Sequence, residues 1–320
     1  MFTRMTAISA ALALTATVFS PASAMAERTL KAAVFLPTQL AFAEPAVLFA
    51  DKVNEIGKGV LQINLVGPDA IPAVEQSNAL RSGLLDIAAI PPSLYKQQVP
   101  LGNAQDISDV PVAEQRESGA YEYLRQMTMD QLGSYLLTTY GDGVGFHIYL
   151  NKEISSLDDL KGMRVRSSPL YTVFFENLGL RTTNTPVPET FTALERGVVD
   201  GYGWPFWGIQ DLGWDKYTKV RIDPGFYNVT INILVNGDTW AGLSDEERKV
   251  LEDAAAWLDE ELPKFNAEKD ALNKKVQDEA GIVTFDAGPE FAKQAGDTYW
   301  GEMAKIDADG TAKLREMFQK

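Results

Sequence analysis

Two segments of the chain carry one pattern. Glu75, Ala79, Leu80, Gly83 and Asp86 recur at identical spacing as Glu189, Ala193, Leu194, Gly197 and Asp200, with an aliphatic pair, Leu84-Leu85 or Val198-Val199, ahead of each Asp. Helical spacing that stops at Gly reads as a short helix with a glycine C-terminus, and the aliphatic pair reads as entry into a buried strand. Such a unit cannot cover its own apolar face, so a repeated unit predicts two lobes of similar α/β design. The first unit runs out at Pro91-Pro92-Ser93 and the second at Trp204-Pro205. Both deliver proline-containing loops to the C-terminal edge of a sheet, where open α/β sheets form their ligand crevices. Two such edges facing one another predict a cleft between lobes, a favoured place for small molecules.

The first residues read differently. Met1 to Arg4 form a short positive region, Ile8 to Phe19 an apolar one, and Ala22-Ser23-Ala24 and Ala24-Met25-Ala26 are small-x-small cleavage sites. Residues 1–26 are therefore expected to be a signal peptide, cleaved after Ala24 or Ala26. No apolar run approaches the ~20 residues of a membrane span, so the mature protein is expected to be exported and not itself membrane-embedded. There is no cysteine, which excludes disulfides and a lipid-anchored thiol; the core must hold the fold. With 44 acidic against 29 basic residues the net charge is −15, which argues against nucleic acid and anionic membrane surfaces as partners. An anion captured here needs a local positive site that works against an unfavourable global field.

Between these landmarks the chain alternates. Strands are expected at Thr29–Leu36, Leu61–Val66, Leu84–Ile90, Val144–Leu150, Met163–Arg166, Val198–Tyr202 and Gly225–Val235. Helices are expected at about 43–56, 113–129, 130–136, 173–178 and 189–196. A long helix should start at the capping box Ser244-Asp245-Glu246-Glu247, with a kink at Pro263, and run to about Ala280; two more helices close the chain. Trp257, Leu258, Leu262 and Phe265 are its packing residues. The lobes must interleave: residues 27–145 with part of the C-terminal region form lobe 1, residues 146–235 lobe 2, and residues 236–320 the hinge-spanning helix and C-terminal helices.

Arg166 is the residue with the most specific chemistry. Alternation in Met163-Arg164-Val165-Arg166 puts both arginines on one face of a strand, with Arg166 at its end, where a ligand crevice opens. A guanidinium offers a planar fork that matches a carboxylate with two parallel hydrogen bonds. Arg164 reads as a surface salt-bridge partner. Enzymatic readings find little support. His147 is the only histidine, so no site with two His ligands for a metal can form, and there is no Gly-x-Ser-x-Gly elbow. Gly141-Asp142-Gly143-Val144-Gly145 precedes a strand instead of opening a helix, which sets aside a dinucleotide loop. No enzyme activity, cofactor or metal is expected.

The whole expected mature chain resembles the solute-binding proteins of tripartite ATP-independent periplasmic (TRAP) transporters. The resemblance is carried by Leu160-Lys161-Gly162-Met163-Arg164-Val165-Arg166, by Ala193 to Gly201 and by the Ser244 helix start. It implies an α/β, two-lobe periplasmic binding protein (type II-like) with crossing hinge strands and a long C-terminal helix. It also implies a periplasmic location, an organic-acid ligand, and small and large TRAP membrane subunits as partners. In that family the arginine closing this strand salt-bridges the ligand carboxylate, which matches Arg166. The family's Glu-Asn-Pro-like run is here Tyr202-Gly203-Trp204-Pro205, so Trp204 stands in the Asn place. A second arginine about twenty residues earlier is replaced by Gly145-Phe146-His147.

One matched arginine, one missing arginine and several aromatics imply a monocarboxylate with a flat or apolar body, held by Arg166 against Phe146, Tyr202, Trp204, Phe206 and Trp207, with Tyr171 as a further ring. An aromatic acid is the first expectation; a 2-oxo or hydroxy acid, a sugar acid or a C4-dicarboxylate is the alternative. Gln39, Glu75 and Ser93 are the expected first-lobe contributors, Glu75 being open to a helix-terminal role instead, and Asn228 is expected near the cleft. A periplasmic sensory binding protein would share this fold and pocket.

Overall fold

The structure, a computed structural model, describes residues 27–320; the expected signal peptide lies outside the described residues. In chain order the strands are β1 (Arg28–Val34), β2 (Leu61–Val66), β3 (Ile87–Ile90), β4 (Ser134–Tyr140), β5 (Gly145–Leu150), β6 (Arg164–Arg166), β7 (Arg181–Thr183), β8 (Gly201–Pro205), β9 (Val220–Asn228), β10 (Ile231–Asn236) and β11 (Val283–Asp286). They form two mixed sheets, one in the order β2-β1-β3-β10-β4 and the other β11-β9-β5-β8-β6-β7, with helices packed on them. This is the expected two-lobe α/β architecture.

The sequence repeat exists in space. Helices Ala73–Arg81 and Val187–Glu195 both follow a proline N-cap in extended conformation, Pro72 and Pro186. Gly83 and Gly197 then turn the chain at φ of 75° and 63°, a region open to glycine at no steric cost. Asp86 donates its N–H to the Lys31 carbonyl at 2.9 Å and accepts the Lys31 N–H on its carboxylate at 2.8 Å. Asp200 does the same with Arg164, at 2.6 and 2.9 Å. Each Asp thus pins its incoming strand to the parallel neighbour, β3 on β1 and β8 on β6. The strands begin after the Asp and not at the aliphatic pair: Leu85 and Val199 are buried, whereas Leu84 and Val198 are exposed.

The chain passes between the sheets at Gly141–Val144, from β4 to β5, and at Val229–Thr230, from β9 to β10. The expected single strand Gly225–Val235 is therefore two strands in two sheets, and β10 belongs with β3 and β4 and not with the 146–235 lobe. The third link is helix Asp245–Glu279, unbroken through Pro263. At 1.5 Å per residue it is ~50 Å long, enough to run along both lobes. Its capping box forms as expected, Ser244 Oγ accepting from the Glu247 N–H at 3.2 Å and Glu247 from the Ser244 N–H at 2.7 Å. Leu258 is buried, and Trp257, Leu262 and Phe265 pack against the first-lobe core.

Residues 130–136 do not form a helix of their own: 130–132 finish the preceding helix and the rest enters a strand. Gly133, at φ 70°, ends helix Ala120–Leu132, and Ser134 opens β4. β4 pairs with β10, a partner distant in sequence, which local helical spacing cannot reveal.

Candidate functional site

A cavity of about 880 Å³ lies between the C-terminal edges of the two sheets. Phe35, just past β1, and Pro91, just past β3, line one side; Arg166 at the end of β6 and Trp204 at the end of β8 line the other. The walls are predominantly apolar and aromatic, with Phe42, Phe146, Tyr171 and Phe191 among the rings.

Arg166 is only 6% exposed. Its Nε donates to the Thr185 carbonyl at 3.1 Å, and its Nη1 to the Tyr171 hydroxyl at 3.0 Å and the Gly203 carbonyl at 3.1 Å. The guanidinium lies 5.5 Å from the Trp204 ring centroid. All of these partners are neutral. A desolvated cation held by neutral dipoles beside a cavity has the chemistry to attract an anion. Arg164 is its contrast: half exposed, it pairs bidentately with Asp200 at 3.1 and 2.9 Å, the expected surface ion pair.

The cavity also holds carboxyls. Asp106 is 2% exposed, accepts from Asn103 Nδ2 at 2.7 Å, and is pushed up to about 8 by burial. Asp211 is raised by burial, against the pull of Lys269.

Of the expected site residues, Arg166, Trp204, Phe146, Gln39, Ser93 and the further ring Tyr171 all reach this wall; the others lie elsewhere. Tyr202 shares the Trp204 face of β8 but is fully buried behind the cavity wall, edge-on to Trp214, stacked on Tyr149 at 5.0 Å and bonded to Thr218 at 2.6 Å. Phe206 lies 4.8 Å from the Arg221 guanidinium and beside His147. Trp207 is a tie between lobes: its ring stacks on Phe42 at 5.2 Å, and its Nε1 donates to Asp270 on the long helix at 2.6 Å. Glu75 is exposed on the first turn of its helix. Asn228 donates from Nδ2 to the Ser108 carbonyl and from its N–H to the Asp106 carbonyl, both at 2.6 Å. Glu75 apart, a structural partner has taken each of these side chains. His147 bonds the Ile222 carbonyl at 3.0 Å and Asp223 at 2.8 Å, a satisfied strand residue.

Two features escaped the sequence. Asp106, in Gln105-Asp106-Ile107-Ser108-Asp109, carries no periodic or motif signal. The Gly203 and Thr185 carbonyls that hold Arg166 are backbone groups, which residue identity does not report.

A family model described as "Bacterial extracellular solute-binding protein, family 7" matches residues 32–305. Among curated relatives, a monocarboxylate 2-oxoacid-binding periplasmic protein of Nostoc sp. is 31% identical over 129 residues, 39% of this chain; that segment spans only about a third of the Nostoc protein, 34%. Among solved structures, a Bordetella pertussis extracytoplasmic solute receptor binding pyroglutamic acid superposes with a TM-score of 0.80 at 18% identity, covering 91% of this chain and 99% of that one. A TRAP periplasmic solute binding protein from Roseobacter denitrificans with bound L-galactonate gives 0.78 at 19%, again covering 91% and 99%. At these identities the structural likeness speaks for the fold.

Proposed function

The chain belongs to bacterial extracellular solute-binding protein family 7, of TRAP solute-binding proteins and not enzymes, and from that premise we propose that it captures an organic monocarboxylate between its lobes through Arg166. The observation that carries this reading is the buried, uncompensated guanidinium at the cavity wall. The ligand carboxylate bonds Arg166 on the second-lobe side. The first lobe closes over the ligand body, so that binding draws the open–closed equilibrium toward the closed form by the extra contacts made there. The loaded protein then delivers its ligand to the TRAP membrane subunits in the periplasm.

The ring-rich wall favours a flat or apolar body, with aromatic monocarboxylates the first class to test. A second reading, a 2-oxo or hydroxy acid, is supported by the polar groups in the cavity and by the described ligand of the Nostoc relative. A thermal-shift screen against aromatic acids, 2-oxo acids, sugar acids and C4-dicarboxylates tests both, because a ligand that binds the native state raises its melting temperature. Stabilisation by monocarboxylates that disappears in Arg166→Ala is the expected result; binding of dicarboxylates alone, or binding indifferent to Arg166, overturns the reading.

A further inference from the structure

Asp106 faces the same cavity from the first-lobe wall, following the turn Gly102–Gln105. Its Oδ2 accepts from Asn103 Nδ2 at 2.7 Å, and Thr230, a neighbour on the cavity wall, offers both its N–H and its hydroxyl. Among the described residues no cation acts on it; the titratable side chains that sense it are Tyr95, Tyr227 and Tyr299, each kept in its neutral phenol form by burial. Burial without a counter-charge leaves the carboxyl protonated at neutral pH, with its pKa at about 8. Asn103 and Thr230 engage its acceptor lone pairs. The acid proton is the function left over.

The cavity therefore has two unlike poles: a fixed cation on the second-lobe wall and a neutral acid donor on the first, with apolar rings around them. We infer that Asp106 is a specificity residue, donating a hydrogen bond to an oxygen acceptor on the ligand away from its carboxylate, so that the site selects oxo-, hydroxy- or lactam-type monocarboxylates over the same acids lacking that oxygen. This rests on the reading of Arg166 as the carboxylate anchor. A buried donor rejects an analogue without its acceptor far more strongly than an apolar pocket rejects a missing methylene, because the donor is left unpaired. It also makes closure ligand-dependent, since the acceptor reaches Asp106 only when the first lobe meets the ligand.

Isothermal titration calorimetry of the mature protein with matched probes tests this: benzoate against 4-hydroxybenzoate, pentanoate against 4-oxopentanoate, and 4-(aminomethyl)benzoate as a cationic arm. The expected result is that wild type prefers at least one oxygenated probe by about tenfold or more at pH 7 and loses that preference above pH 8. Asp106→Asn, which keeps an N–H donor and cannot ionise, retains the preference at both pH values. Asp106→Ala binds both members of a pair equally. Equal binding of paired probes by wild type, or a preference that survives in Asp106→Ala, overturns the inference while leaving the anchor reading intact. Preference for the aminomethyl probe overturns it too, since Asp106 would then act as a carboxylate. If no probe binds, or binding ignores Arg166→Ala, the anchor reading fails and this inference fails with it.

Discussion

Arg166 and Tyr171 share one acceptor. The Tyr171 hydroxyl donates to the Gly203 carbonyl at 2.8 Å, and Arg166 Nη1 donates both to that hydroxyl and to the same carbonyl. Tyr171 lies just beyond β6, and Gly203 sits in β8, so the sheet itself sets the position of the guanidinium. An arginine held in this way loses little conformational freedom when it meets a ligand, and a rigid fork gains affinity from that preorganisation.

Removing the fork should therefore remove the site. Arg166→Ala is expected to weaken carboxylate binding by about 2–5 kcal/mol, roughly thirtyfold or more. Arg166→Lys should recover only part of it, because an ammonium cannot bond two carboxylate oxygens in one plane. Calorimetric titration with whichever acid stabilises the protein checks both variants, and near-wild-type affinity in Arg166→Ala would remove Arg166 from the site.

Tyr171→Phe keeps the ring and deletes the hydroxyl bridge. The net worth of such a hydrogen bond is about 0.5–1.5 kcal/mol, so affinity should fall severalfold with a similar small loss of stability. Titration alongside thermal melts measures both. An unchanged affinity would mean that the Gly203 and Thr185 carbonyls orient Arg166 unaided.

Gly203 has no room for a side chain. A Cβ there would meet Tyr171 Cε2 at 2.4 Å and Phe175 Cζ at 2.8 Å. Gly203→Ala must push the Tyr171 ring, and with it the Arg166 bridge, at a typical overpacking cost of about 1–3 kcal/mol. Both melting temperature and affinity should drop. A variant that melts lower but binds normally would show that Tyr171 moves without disturbing Arg166.

Asp86 provides a control outside the cavity. It accepts from the Lys31 N–H and the Thr239 hydroxyl, both at 2.8 Å. Asp86→Ala should destabilise by about 1–3 kcal/mol through the donors it abandons and leave affinity in the folded protein unchanged. Denaturant melts paired with titration separate the two effects.

Stability should respond to pH at two sites with opposite sign. Asp106 keeps its proton in the native state up to about 8, whereas an unfolded Asp releases it near 3.9. The native state then binds more protons between those values, so this group lowers stability as pH rises from about 4 to 8. Asp223 opposes it at the acid end. Burial alone would raise Asp223, but hydrogen bonds and charge from Arg221 and His147 hold it well below the usual carboxylate range, so its contribution is present above about 4 and is lost as pH falls further. Melting temperatures from pH 3 to 9 should show a loss toward acid that Asp223→Asn reduces, and a decline toward pH 8 that Asp106→Asn flattens.

The two-lobe design was legible because it rests on local chemistry. Glycine turns and helix ends act within a few residues of themselves, so their spacing survives into the fold at Gly83 and Gly197, and the Asp that ends each unit marks the strand entry even though its partners, Lys31 and Arg164, come from distant strands. Arg166 was legible for a related reason: a strand end is a local feature, and the crevice beyond it follows from sheet topology. The aromatic wall was legible only in part. Trp204 and Phe146 reach the cavity, but Tyr202, Phe206 and Trp207, close beside Trp204 in sequence, are claimed by Thr218, Arg221 and Asp270. Which neighbours claim them depends on elements packed from distant parts of the chain. The same holds for β4, whose partner is β10, and for Asp106, whose proton is retained because Asn103, Thr230 and the surrounding core exclude water from it. The sequence by itself determined where the chain turns, what caps its helices and where its most specific cation stands. The tertiary structure decided which side chains are desolvated together, since burial and charge balance are properties of neighbours brought together in space.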